Sequence, residues 1–164
     1  MRLPELRSED GFTLVELMMT VVILGVLLVM SMSTFAGVKS RAQDSAAKAA
    51  AATALESGRI VFTDTGNYTT VFPADLKAAE PSLDFVDEVT NSSGPNSAST
   101  WVVDRATTGY IFVAAVYSES GRCYFVRDWI TQGIGFGVLT DVAASDCTSD
   151  QAPAVVFGSR WPSV

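Results

Sequence analysis

Histidine is absent from this 164-residue chain, and only two cysteines occur, Cys123 and Cys147. The missing imidazole removes the commonest general acid–base group. No nucleophile with an adjacent base stands out, which leaves paired carboxylates or a bound metal as routes to catalysis. The chain therefore reads as a non-enzyme. Clustered basic residues are missing too: 11 Lys and Arg stand against 18 Asp and Glu, a net charge of −7. Phosphate contacts need clustered Lys and Arg, so nucleic acid is not expected as a main partner. Proline is missing from residues 38–62, and charge is missing from Phe12 to Ala36 except at Glu16.

What is present begins with that apolar run. About 20 apolar residues cross a bilayer as a helix, so residues 12–36 suffice. The run is too long for the apolar region of an ordinary secretory signal, and no A-x-A-like cleavage site follows it. An ionised carboxylate in hydrocarbon costs at least about 2.5 kcal/mol and is usually paired and functional. Glu16 therefore needs a reason. Basic residues flank the run on both sides, Arg2 and Arg7 before it and Lys39, Arg41 and Lys48 after it. The positive-inside rule accordingly gives no orientation. The polar C-terminal portion and the cysteine pair favour a cytoplasmic N-terminus, with Cys123 and Cys147 joined as a disulfide outside.

Residues 37–62 carry the helix onward. Alanine loses no side-chain entropy in a helix, and eight of them lie between Val38 and Phe62, with Gly58 as a weak point. From Phe12 to Phe62 the helix would measure roughly 76 Å at 1.5 Å per residue. Val38, Ala42, Ala46, Ala49, Thr53 and Ile60 form one small-residue side; Ala47, Ala51, Leu55 and Phe62 form another. Two sides suggest two packing partners, the protein's own sheet and neighbouring helices.

The remainder, 63–164, reads as one globular head. Residues 63–99 form a loop region holding a short helix in PADLKAAEP, which ends at Pro81. An antiparallel sheet spans about 100–140, with strands at 100–106, 110–117, 123–130 and 133–140. SESGR joins the middle pair as a hairpin link. YIFVAAVY is apolar on both faces, so the strand at 110–117 should lie between the helix and another layer. The tail, 141–164, is irregular, with one more strand possible at VVFGS. A bond from Cys147 to Cys123 would clamp it to the sheet.

Asp141, Asp146 and Asp150 offer oxygen ligands, but their spacing matches no calcium-binding pattern, and they read as solvated loop acids. No metal or cofactor is expected. Asn67-Tyr68-Thr69 and Asn91-Ser92-Ser93 are formal glycosylation sequons of a kind that chance often supplies in Ser/Thr-rich loops. Trp101, Trp129 and Trp161 read as core or interface anchors.

The stretch Gly11-Phe12-Thr13-Leu14-Val15-Glu16-Leu17 resembles the processing site of type IV pilins and of the related type II secretion pseudopilins. The resemblance implies a leader, 1–11, removed after Gly11 by a membrane prepilin peptidase, and methylation of the new terminus at Phe12. Glu16 then falls on the family's glutamate and Gly25 on its helix glycine. The implied fold is α+β: a long N-terminal helix, half membrane-embedded (12–36) and half amphipathic (37–62), packed on a C-terminal antiparallel sheet with a disulfide-closed tail. SRAQDSAAKAA also resembles actinobacterial pilins. Two departures stand out. Ser33 occupies the place where many pilins have a helix-loosening proline, and the leader is acidic at Glu9 and Asp10 beside the cut.

The expected function is that of a structural subunit of a type IV pilus. It would sit in the cytoplasmic membrane as a precursor, contacting lipid, and then enter an extracellular filament serving adhesion, twitching motility or DNA uptake. The implied partners are other pilin subunits, the prepilin peptidase, and the assembly platform with its motor. Glu16 would neutralise the Phe12 amine of a neighbour, with Leu17, Val21, Leu24 and Leu28 packing the filament core. The competing reading of Glu16 is a local capping box with Thr13. For the whole chain the rivals are a type II secretion pseudopilin and an unpolymerised, membrane-anchored binding protein.

Overall fold

The structure is a computed structural model that describes residues 11–103 and 110–162. The leader residues 1–10, the last three residues of the strand expected at 100–106, and 163–164 of the tail lie outside the described residues. So do the side chains of Met32, Ser33, Thr34 and Ala36.

Helix α1 runs from Leu14 to Thr65 without interruption, through Gly25, position 33 and Gly58. It ends three residues beyond Phe62. Thr63 and Thr65 fold their hydroxyls back onto the carbonyls of Arg59 and Val61, at 2.8 and 3.0 Å. Gly66 then takes φ of 75° and donates its N–H to the Phe62 carbonyl at 2.7 Å. A residue without Cβ adopts that left-handed turn at no steric cost, which makes the stop abrupt.

Contacts divide the chain into two units, Met1–Lys39 and Ser40–Val164. In the first unit, Leu14–Ser31 is long and apolar enough to cross a membrane and is unburied. In the second, Ala47, Ala50, Ala51, Ala54 and Leu55 are buried against the sheet, with Val61 and Phe62 partly so. This is the Ala47–Ala51–Leu55–Phe62 side expected from sequence. Ala42, Ala46, Ala49 and Ile60, on the other side, are exposed.

Helix α2 (Pro73–Ala79) opens with proline at a position whose N–H needs no helical partner. Five strands follow in sequence order across one sheet: β1 (Asp84–Val86), β2 (Ser97–Val103), β3 (Ile111–Ser118), β4 (Arg122–Trp129) and β5 (Gly133–Thr140). All neighbours are antiparallel except β1 and β2. Strand β1 lies within the stretch expected to be loop. Three residues are too few to show alternation, and only its parallel pairing with β2 reveals it.

Strand β3 is central and faces two layers, as its apolar run Ile111–Val116 requires. Phe112, Ala114 and Val116 join the α1 side, together with Tyr124 and Val126 of β4. Val113 and Ala115, with Cys123 and Phe125, face the tail residues Cys147, Ala152 and Val155. Gly58 permits the α1 approach, since a Cβ there would stand 2.9 Å from the Phe112 ring. The glycines of β5 make room on the opposite face. A Cβ on Gly137 would fall 2.2 Å from a Val155 methyl carbon, and one on Gly135 would fall 3.0 Å from both Phe157 Cβ and Arg127 Nε.

The tail holds short 3-10 turns at Ala144–Asp146 and Ser149–Ala154. Of the strand anticipated at VVFGS, only a bridge between Gly158 and Phe136 forms. Cys123 and Cys147 are bonded, with Cα atoms 5.5 Å apart. Trp161 packs on Tyr124 and Phe136, with ring centroids 5.6 and 4.8 Å away.

Candidate functional site

The first candidate is the start of α1. Thr13 is the residue before the helix, and its hydroxyl accepts the Glu16 N–H at 3.2 Å. Glu16 answers by accepting from the Thr13 N–H at 3.0 Å and from its hydroxyl at 2.8 Å. This reciprocal capping box satisfies two helix-terminal donors and places a carboxylate at the positive end of the helix dipole. The box forms in a chain in which residue 12 is still an internal peptide unit. Leu17, Val21, Leu24 and Leu28 are exposed along the same helix.

The head has two polar clamps that tie α1 to the sheet, neither anticipated from sequence. At one end, Asp44 accepts hydrogen bonds from Ser118 at 2.8 Å and from Ser120, and pairs with Arg122. Beside it, Gln43 donates to Glu119 at 2.6 Å. Burial alone would push the Asp44 carboxyl up, but Ser120, Ser118 and Arg122 together outweigh burial and hold it below the usual carboxylate range. Tyr124 lies beneath this cluster. Burial first, and the Asp44 charge second, push its phenol up to about 12.

At the other end, Asp128 accepts from Arg59 at 2.8 Å and from the buried Tyr68 hydroxyl at 2.8 Å. Tyr68 is itself stacked between Phe62 and Phe112, with centroids 4.8 and 5.5 Å away. Burial, reinforced by the Asp128 carboxylate, raises the Tyr68 phenol far above its ordinary value. Residues 44 and 118–122, or 59, 68 and 128, are too far apart in sequence for spacing to signal them. The buried Asp44 is one of several acids in the alanine-rich helix, and nothing in the sequence marks it out from Glu56.

Cys123 and Cys147 meet as expected. Asp146 and Asp150 accept from Ser145 at 3.0 Å and from Thr148, respectively. Among the described residues, no three acidic or sulfur groups gather where they could hold a metal ion. Tyr68, the middle residue of one sequon, is buried, as is Ser92 of the other.

The family description that matches is the prokaryotic N-terminal methylation motif, over residues 6–32. No curated protein and no solved structure gives a match. The motif stands on an apolar helix that continues into a helix-backed, mostly antiparallel sheet with a disulfide-bonded tail, which is the type IV pilin α+β fold. The motif supports a type IV pilin-like prepilin or pseudopilin. The motif's family is one of structural subunits. It implies processing by a prepilin peptidase and assembly with other pilin subunits, and the apolar helix is consistent with a membrane-anchored precursor.

Proposed function

We propose that this chain is a structural subunit of a type IV pilus. Its precursor is inserted with the N-terminus in the cytoplasm, cut after Gly11, methylated at Phe12 and polymerised into an extracellular filament. The observation that carries the reading is the methylation motif at residues 6–32, set on an apolar helix whose described side chains are left exposed. On this reading residues 1–11 are a leader, 12–36 the polymerising half of the helix, 37–62 its amphipathic half and 63–164 the filament surface. The platform, its motor and the bilayer are partners on the way.

Glu16 gains a second role after the cut. Cleavage leaves a cationic amine at Phe12, and a neighbour's carboxylate can neutralise it at only one axial stagger. Setting register is the best-attested reason to retain a buried ion pair. Hydrophobic packing through Leu17, Val21, Leu24 and Leu28 supplies the remaining contact, and Gly25 and Ser33 are the positions where the helix yields if it must. The disulfide-closed tail supports a surface filament over a secretion pseudopilin. Immunolabelled electron microscopy of intact cells tests this: label along surface fibres is expected. Label confined to the cell envelope would favour the pseudopilin.

A further inference from the structure

The face of the sheet away from α1 holds a groove of about 190 Å³, lined among others by Trp101, Val103, Ile111, Pro153 and Phe157. Its wall is apolar except at Arg127. That guanidinium lies 4.4 Å from the Phe157 ring and 5.4 Å from the Trp129 ring, on the electron-rich surfaces that favour a cation. Gly135 leaves the space for this stack. The Arg127 Nε is buried without a hydrogen-bond partner, and among the described residues Arg127 forms no ion pair. A permanently charged group whose Nε has no partner among the described residues, set at an apolar groove, suits an occupant that combines an aliphatic side chain with a carboxylate.

The same head carries such an occupant. Residues 87–90 form a turn in which the Thr90 N–H donates to the Asp87 carbonyl at 3.2 Å and to its carboxylate at 3.0 Å. The Ser99 hydroxyl donates to the Asp87 carbonyl at 2.9 Å and pins the turn to β2. Glu88 and Val89 stand at the two central positions, with Val89 73% exposed. A rigid turn presents them at little ordering cost. We propose that the Glu88–Val89 turn of one copy seats in the Arg127 groove of the next, Val89 against the aromatic wall and Glu88 on the guanidinium. Between copies stacked along a filament the knob of one meets the groove of the next, so on the filament reading the contact is heterologous and repeats along the fibre. The inference rests on the filament reading for its supply of neighbouring copies. It adds a lateral contact between heads, separate from the packing of the apolar helices.

The test uses the full chain in filaments sheared from cells. Val89→Cys and Pro153→Cys are introduced together; the native cysteines are bonded to each other, so only the new thiols can cross-link. Oxidation is expected to give a ladder of covalent dimers and longer species from the double variant, and none from either single variant. Glu88→Arg in that background should abolish the ladder, and adding Arg127→Glu should restore it. Arg127→Glu could disturb the stack with Phe157, so Glu88→Arg alone, on an external turn, decides the charge component. Intact filaments without a ladder, or a ladder indifferent to Glu88→Arg, would overturn the docking while leaving the filament reading in place. So would a ladder from Ile60→Cys with Pro153→Cys that replaces the Val89 one, because the groove would then hold a helix flank. A wild-type chain that never enters filaments would overturn both.

Discussion

At the scale of single residues, carboxylates decide the most. Glu16 is capped by Thr13 in the uncleaved chain, and glutamine can close the same box while carrying no charge. Glu16→Gln should therefore leave helix content and membrane insertion intact yet abolish filament yield, measured as sheared pilin relative to cell-associated pilin. Normal yield from that variant would reduce Glu16 to a cap. Asp44 makes a different prediction, in pH. Its folded pKa is depressed, so its contribution is fully present above the unfolded carboxylate value of about 4 and is lost as pH falls through the lower folded value. Urea titrations of the full chain in detergent should show a loss of stability below about pH 4 that Asp44→Asn flattens. The Asn variant should be the less stable protein at pH 7, since it leaves Arg122 without its counter-ion.

At the scale of elements, the sheet and helix were largely readable and the joins between them were not. The strand at 133–140 matches its sequence reading, because glycines and large apolar residues alternate with period two. The central place of β3 followed from its apolar residues on both faces. Strand β1 escaped because its evidence is a partner, not a pattern. The helix runs past Phe62 to Thr65 and stops at Gly66, whose left-handed φ the alanine-rich composition does not mark. The clamps at Asp44 and Asp128 depend on strand register, which spacing alone cannot supply. Close packing at glycine gives the test at this scale. Gly58→Leu should destabilise the head by about 1–3 kcal/mol despite its better helix propensity, because the Phe112 ring has nowhere to go. Cys147→Ser should cost about 3.5 kcal/mol in the chain-entropy picture for a loop of 24 residues. Limited proteolysis should then cut first in the freed tail between residues 141 and 160.

At the scale of the whole molecule, two units have opposite needs. The apolar unit leaves large side chains such as Leu17, Met18 and Val22 exposed and needs lipid or sister helices to cover them. The head buries its own core between α1, the sheet and the tail. Such a chain suits a subunit that waits in a bilayer and then exchanges lipid for copies of itself, provided that cleavage supplies the amine that Glu16 is to meet. Intact-mass measurement of protein sheared from cells tests that condition most directly. A chain beginning at methylated Phe12, two hydrogens lighter for the Cys123–Cys147 bond, is the predicted result. Filament subunits that still begin ahead of Phe12 would contradict the account.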